Sequence, residues 1–186
     1  MPGFVVRVLP ALLLCACTTL PPGRHAGDAE LSRYLLEARF SWRQGGRVDT
    51  GRLSWAHAPE TDDVLIQDPF GSGLAELHRR PEGTRLKLHD GRIVEADDPA
   101  ALLRREIGMA LPVAAFGGWL TGRPAAGVER RELDALGRVV GLDADGWTIR
   151  FEYAEDLAEA LPSRVVASGT DGLELRLSVE RWELPQ

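Results

Sequence analysis

The sequence predicts an α+β domain: one strongly bent antiparallel sheet, with helices inserted between its two runs of strands and packed on the concave face. Three observations predict it. Apolar residues recur at every second position in two separate blocks of the chain, the pattern of half-buried strands. The block between them changes to helical spacing behind an Asp cap, which marks a helical insertion. And 186 residues at 44% apolar and 27% charged suit one compact domain rather than several.

Taken in order, the chain opens with Arg7 ahead of the apolar run Val8-Leu9-Pro10-Ala11-Leu12-Leu13-Leu14, closed by Cys15-Ala16-Cys17. That run is far short of the roughly 20 residues a spanning helix needs, so residues 1–16 read as a cleaved signal peptide. Thr18 to Asp28, with Pro21-Pro22-Gly23 and Gly27, reads as a flexible tether behind Cys17. Residues 29–186 then form the folded domain. Leu31, Tyr34, Leu35 and Ala38 fall at i, i+3, i+4 and i+7, which predicts a helix over Glu30 to Arg39. From Phe40 the period is two, through Arg52–Trp55, Val64–Gln67, Ala75–His78 and Thr84–His89, an antiparallel meander. The dipeptides Glu82-Gly83 and Asp90-Gly91 stand where hairpin turns belong.

The middle block returns to helix. Asp98 caps it, Pro99 takes the first turn, Leu102, Leu103 and Ile107 share a side, and Gly108 ends it. A second short helix begins at Pro112, with Val113, Phe116, Trp119 and Leu120 on one apolar side. Gly117 and Gly118 weaken it, so it needs tertiary support. Strands return at Arg138–Leu142, Trp147–Tyr153, Ser163–Ser168 and Leu173–Trp182, the last with Leu173, Leu175, Leu177 and Val179 facing one way.

Composition excludes several functions. With 22 Lys and Arg against 28 Asp and Glu, and no run of five like charges, the chain lacks the basic field that nucleic-acid binding demands. Loss of residues 1–16 removes Arg7 alone, turning net −6 into −7, a surface not drawn to anionic headgroups. His25, His57, His78 and His89 are scattered without metal-site spacing, and no metal is expected. An enzyme would have to use Asp97-Asp98, Glu129 to Glu132, or Ser72 with a His. Gly71-Ser72-Gly73 lacks the Gly-x-Ser-x-Gly elbow, no phosphate-binding Gly-x-x-x-x-Gly-Lys loop is present, and Asp98 already has a role as a cap.

Several motifs in fixed order carry a resemblance that spans nearly the whole chain. They are Leu14-Cys15-Ala16-Cys17, which is similar to a bacterial lipobox; Trp55 closing an early strand; Asp68-Pro69-Phe70-Gly71; and Ala96-Asp97-Asp98 before a Leu-Leu helix. Ile107-Gly108-Met109-Ala110-Leu111-Pro112, Trp119-Leu120-Thr121-Gly122-Arg123-Pro124, Gly146-Trp147, Leu161-Pro162 and Glu180-Arg181-Trp182 follow. Together they resemble the LolB family of outer-membrane lipoproteins. One departure is Ala38 before Arg39, where a Gly-Arg pair is usual.

The resemblance implies an open half-barrel with a helical lid over an apolar cavity. It also implies an acceptor that takes acylated lipoproteins from a soluble periplasmic carrier and inserts them into the outer membrane without ATP. Cys17 is then the lipidated residue, and Thr18 after it implies sorting to the outer membrane, with the domain facing the periplasm as a monomer. No cofactor is expected beyond that covalent lipid. Inward residues of such a sheet form either a closed core or a pocket with apolar walls. The candidates are Leu53, Trp55, Leu65, Leu77, Leu86, Leu88, Leu102, Leu103, Ile107, Phe116, Trp119, Ile149, Phe151, Leu175 and Leu177. Pro69, Phe70 and Gly71 form a tight reversal, from which Phe70 either projects or folds back on the sheet. The resemblance implies a protruding loop that enters the membrane. The rival reading is a non-catalytic scaffold lipoprotein of the outer membrane, or a half-barrel that holds another lipid.

Overall fold

A computed structural model describes residues 31–109, 111–123 and 128–185. The signal peptide, Cys17 and the tether lie outside the described residues.

The strands are β1 (Tyr34–Gln44), β2 (Arg47–Ala58), β3 (Thr61–Gln67), β4 (Gly73–Arg80), β5 (Gly83–Leu88) and β6 (Ile93–Ala96). Two helices follow, α1 (Pro99–Ile107) and α2 (Val113–Trp119). The chain then returns as β7 (Arg130–Leu133), β8 (Val139–Ala144), β9 (Trp147–Glu152), β10 (Arg164–Ser168) and β11 (Glu174–Glu183). All pair in a single antiparallel sheet in the order β6-β5-β4-β3-β2-β1-β11-β10-β9-β8-β7. β6 and β7 are consecutive in the chain but stand at the two outer edges. The segment joining them, which carries both helices, has to cross the sheet. That crossing is the lid, and the sheet stays open rather than closing into a barrel.

Alternation places the core. The row Leu36, Trp55, Val64, Leu77, Leu86 runs across five paired strands, and every member is buried. Ala38, Leu53, Ile66, Ala75 and Leu88 make the next row, also buried. One core cluster joins these rows to Leu102, Leu103, Phe116 and Trp119 of the helices, and to Ile149, Phe151, Leu175 and Leu177 of the far strands. The outer face instead carries cross-strand ion pairs such as Arg39–Glu180 and Arg181–Glu37. Exposed pairs of this kind add little stability but keep the face soluble.

Two expectations need correction, and two strands are additions. The stretch expected to be helical is β1 from Tyr34 onward. Tyr34, Leu36, Ala38, Phe40 and Trp42 are all buried in strict alternation, and pairing to both β2 and β11 satisfies the backbone that a helix would have satisfied locally. Ala38, the departure from the family pattern, sits where β1 slips register against β11. Leu65 points to the outer face: Val64 and Ile66 on either side are buried, so the phase of β3 is one residue off the candidate list. Finally, the edge strands β6 and β7 were not anticipated. Each is four residues long, and Arg130-Arg131-Glu132-Leu133 has charges where alternation would show, as edge strands do.

Candidate functional site

The helices are seated by local chemistry. The Asp98 carboxylate accepts the Ala100 N–H at 2.8 Å, Pro99 opens α1 at no hydrogen-bond cost, and Gly108 closes it in the left-handed region at φ 75°. Leu102 and Leu103 drive into the core, while Ile107 is half-buried against it. On α2, Phe116 meets Trp147 edge to face at 5.0 Å and lies 5.6 Å from Trp119.

The far side of α2 rests on a polar row. Tyr34, His57, Asp62 and Arg79 are successive register partners across β1, β2, β3 and β4. Asp62 is fully buried. Its carboxylate accepts the Trp55 indole N–H at 2.8 Å and Arg79 Nε at 2.5 Å, and contacts His57 Nδ1 at 2.6 Å. Tyr34, its ring 5.1 Å from that of His57 and tilted 36° to it, donates its hydroxyl to the Gly117 carbonyl at 2.7 Å. Burial, with the charge of Asp62 nearby, pushes the Tyr34 hydroxyl well above its ordinary value, so it stays a donor. The glycine that weakened α2 on paper is needed here, because a Cβ on residue 117 would lie 2.3 Å from His57 Nδ1.

Between sheet and helices remains an enclosed cavity of about 20 Å³, lined by Phe40, Leu53, Val64, Ile66, Leu77, Leu103, Met109, Leu111, Val113 and Leu175. Four candidates therefore reach it: Leu53, Leu77, Leu103 and Leu175. Trp55, Leu86, Leu88, Leu102, Phe116, Trp119, Ile149, Phe151 and Leu177 are buried but pack as core away from the cavity wall. Sequence reasoning missed Phe40, Val64, Ile66, Met109, Leu111 and Val113. Met109 and Leu111 stood in a motif noted for its resemblance only.

At the opposite end of β3 and β4, the loop Asp68–Ser72 is built around one carboxylate. Asp68 Oδ1 accepts the N–H groups of Phe70 at 2.8 Å and Ser72 at 2.9 Å. The backbone closes the turn through Asp68 N–H to Ser72 O at 2.9 Å and Gly71 N–H to Asp68 O at 3.0 Å, with Gly71 at φ 92°. Gln67 Nε2 holds the Gly71 carbonyl at 2.8 Å. The backbone N–H of Ser72, aided by that of Phe70, keeps the Asp68 carboxyl below the usual carboxylate range. The result is a braced loop that leaves Phe70 95% exposed. It projects and does not fold back. Leu74, just beyond, is also exposed.

Three of the groups considered for an enzyme have structural partners. Asp98 caps α1, Glu132 on β7 pairs with Arg130 and Arg150, and the Ser72 N–H belongs to the Asp68 turn.

The sequence profile of the family described as Outer membrane lipoprotein LolB matches residues 32–182. A relative from Dechloromonas aromatica named outer-membrane lipoprotein LolB is 35% identical over 181 residues, covering 95% of each chain. One of the same name from Azoarcus is 35% identical over 178 residues, covering 95% of this chain and 92% of its own. Among solved structures, a LolA superfamily protein from Nitrosomonas europaea superposes with a TM-score of 0.53 at 11% identity, over 86% of this chain and 91% of that one. That last likeness concerns the fold alone.

Proposed function

The chain belongs to the outer membrane lipoprotein LolB family, and on that footing we propose that it is a lipid-anchored acceptor on the periplasmic face of the outer membrane. It takes acylated lipoproteins from a soluble LolA-type carrier and inserts them into the bilayer. Cys17 bears the anchor, and two or three acyl chains there hold the domain at the membrane durably where one would not. Each step of the transfer, from carrier to the space under α1 and α2 to lipid, runs downhill in transfer free energy, so no ATP and no catalytic residue take part.

The observation that carries this reading is Phe70. A soluble domain gains nothing by bracing a loop so as to hold a Phe in water, and burying that side chain in lipid returns about 1.5–3 kcal/mol. That is enough to bring a tethered domain into contact with the bilayer and too little to anchor it. A scaffold lipoprotein, the rival reading, has use for the filled concave face but none for an exposed Phe70.

The test mixes the mature chain carrying Cys17→Ala with purified carrier bound to a radiolabelled acylated lipoprotein, separates the two proteins and counts the label. Label on this chain supports the acceptor role. Label left entirely on a competent carrier rejects it in favour of a scaffold.

A further inference from the structure

The enclosed cavity holds about 20 Å³, room for one water molecule, whereas sites for ligands the size of an acyl chain span several hundred Å³. For cargo to enter, some side chain that now fills the space has to leave it. The three parts of the lid are not equally free to do so.

α1 is held by the Asp98 cap and the buried Leu102 and Leu103. α2 is held by the Tyr34 hydroxyl on Gly117 and by Phe116 against Trp147. Among the described residues, Met109 and Leu111, between them, have no such tie, and their backbone hydrogen bonds stay within the helical segment, Met109 N–H to Leu103 O at 3.3 Å and Val113 N–H to Leu111 O at 2.9 Å. Yet both side chains are buried and both line the cavity, facing Phe40, Leu53, Val64, Ile66, Leu77 and Leu175 of the sheet.

We infer that Met109 and Leu111 form a displaceable plug that occupies the seat of an acyl chain, and that cargo enters by driving these two side chains out while both helices keep their hold on the sheet. This rests on the acceptor reading above. An acyl chain takes over the sheet contacts of Met109 and Leu111 and buries more apolar surface than those two side chains give up, so the exchange stays favourable. Lifting α2 would break the Tyr34 hydrogen bond and pull Phe116 and Trp119 from the core with nothing to replace them. Met is suited to such a place, since its unbranched, polarisable side chain repacks easily.

The chain has two methionines, Met1 and Met109, so Met109 is the only one left once the signal peptide is gone. The experiment titrates the Cys17→Ala mature chain, labelled at the methionine methyl, with a fluorescent hexadecanoic acid and follows both the methyl resonance and the binding curve. The Met109 signal is expected to move from a buried to a solvent-exposed position at saturation. Met109→Ala is expected to bind the probe about tenfold more tightly, because truncation weakens only the empty form, in which the side chain is seated. Tyr34→Phe, which loosens α2 without touching the cavity wall, is expected to leave affinity unchanged.

A Met109 signal that stays put at saturation overturns the plug, and so does tighter binding by Tyr34→Phe alone, which makes α2 the moving part. If wild type still accepts lipoprotein from the carrier in either case, only the plug has failed. If neither probe nor lipoprotein is taken up, the acceptor reading fails and the plug with it.

Discussion

β3 and β4 end in two differently organised regions, each centred on an aspartate. At one end Asp62 is fully buried and gathers Trp55, His57 and Arg79. With Tyr34, that row holds α2 against the sheet. At the other end Asp68 gathers only the backbone of its own loop and leaves Phe70 in solvent. The same carboxylate chemistry stabilises the fold in the first case and displays an apolar side chain in the second. On the proposed reading, stability and delivery fall to opposite ends of the half-barrel, so substitutions should separate them.

The sharpest way to break that division is at Asp62. Asp62→Ala leaves Arg79 and His57 without their buried partner and should cost about 3–5 kcal/mol in urea unfolding. A loss under about 1 kcal/mol would mean the row is not structural. Gly117→Ala drives a methyl into His57 and should cost about 1–3 kcal/mol by the same measurement. Tyr34→Phe removes one buried donor and should cost about 1 kcal/mol.

Phe70→Glu should change stability by no more than about 0.5 kcal/mol, as for any exposed site. A large loss would mean that Phe70 is core after all. Smallest is a pH effect confined to the loop. The Asp68 carboxyl is held below its ordinary range, so its contribution is fully present above the unfolded value of about 3.9 and is lost as pH falls through the lower folded value. The protection of the Phe70 and Ser72 amides, taken against their intrinsic exchange rates at each pH, should therefore fall in acid before global unfolding begins.

The two ends also differ in how far the sequence reveals them. The Phe70 loop is legible because its determinants are contiguous: Asp, Pro and Gly within four residues fix the reversal. The Asp62 row is not, because its members come from four strands, and Thr61-Asp62-Asp63 looks like a solvated turn until register brings Asp62 beside His57 and Arg79. Register likewise decided β3, where Val64-Leu65-Ile66 is apolar in both phases and only pairing with Trp55 turns Val64 inward. In β1 the residues up to Ala38 fit helical spacing as well as alternation. Phe40 and Trp42 continue only the second pattern, and two long-range partners select it. The helical insertion was legible from its caps, since capping is local. What fills the cavity was not, because that depends on how the crossing segment settles into the concave face.

The central claim is that acceptance and delivery are separable and that Phe70 serves only delivery. Wild type and Phe70→Glu, each as the Cys17→Ala mature chain, would be loaded with radiolabelled acylated lipoprotein from the carrier, mixed with phospholipid vesicles and sedimented. Both should accept equal label, with wild type passing it to the vesicles and the variant retaining it in solution. Delivery by the variant at the wild-type rate, or its failure to accept at all, would contradict the account.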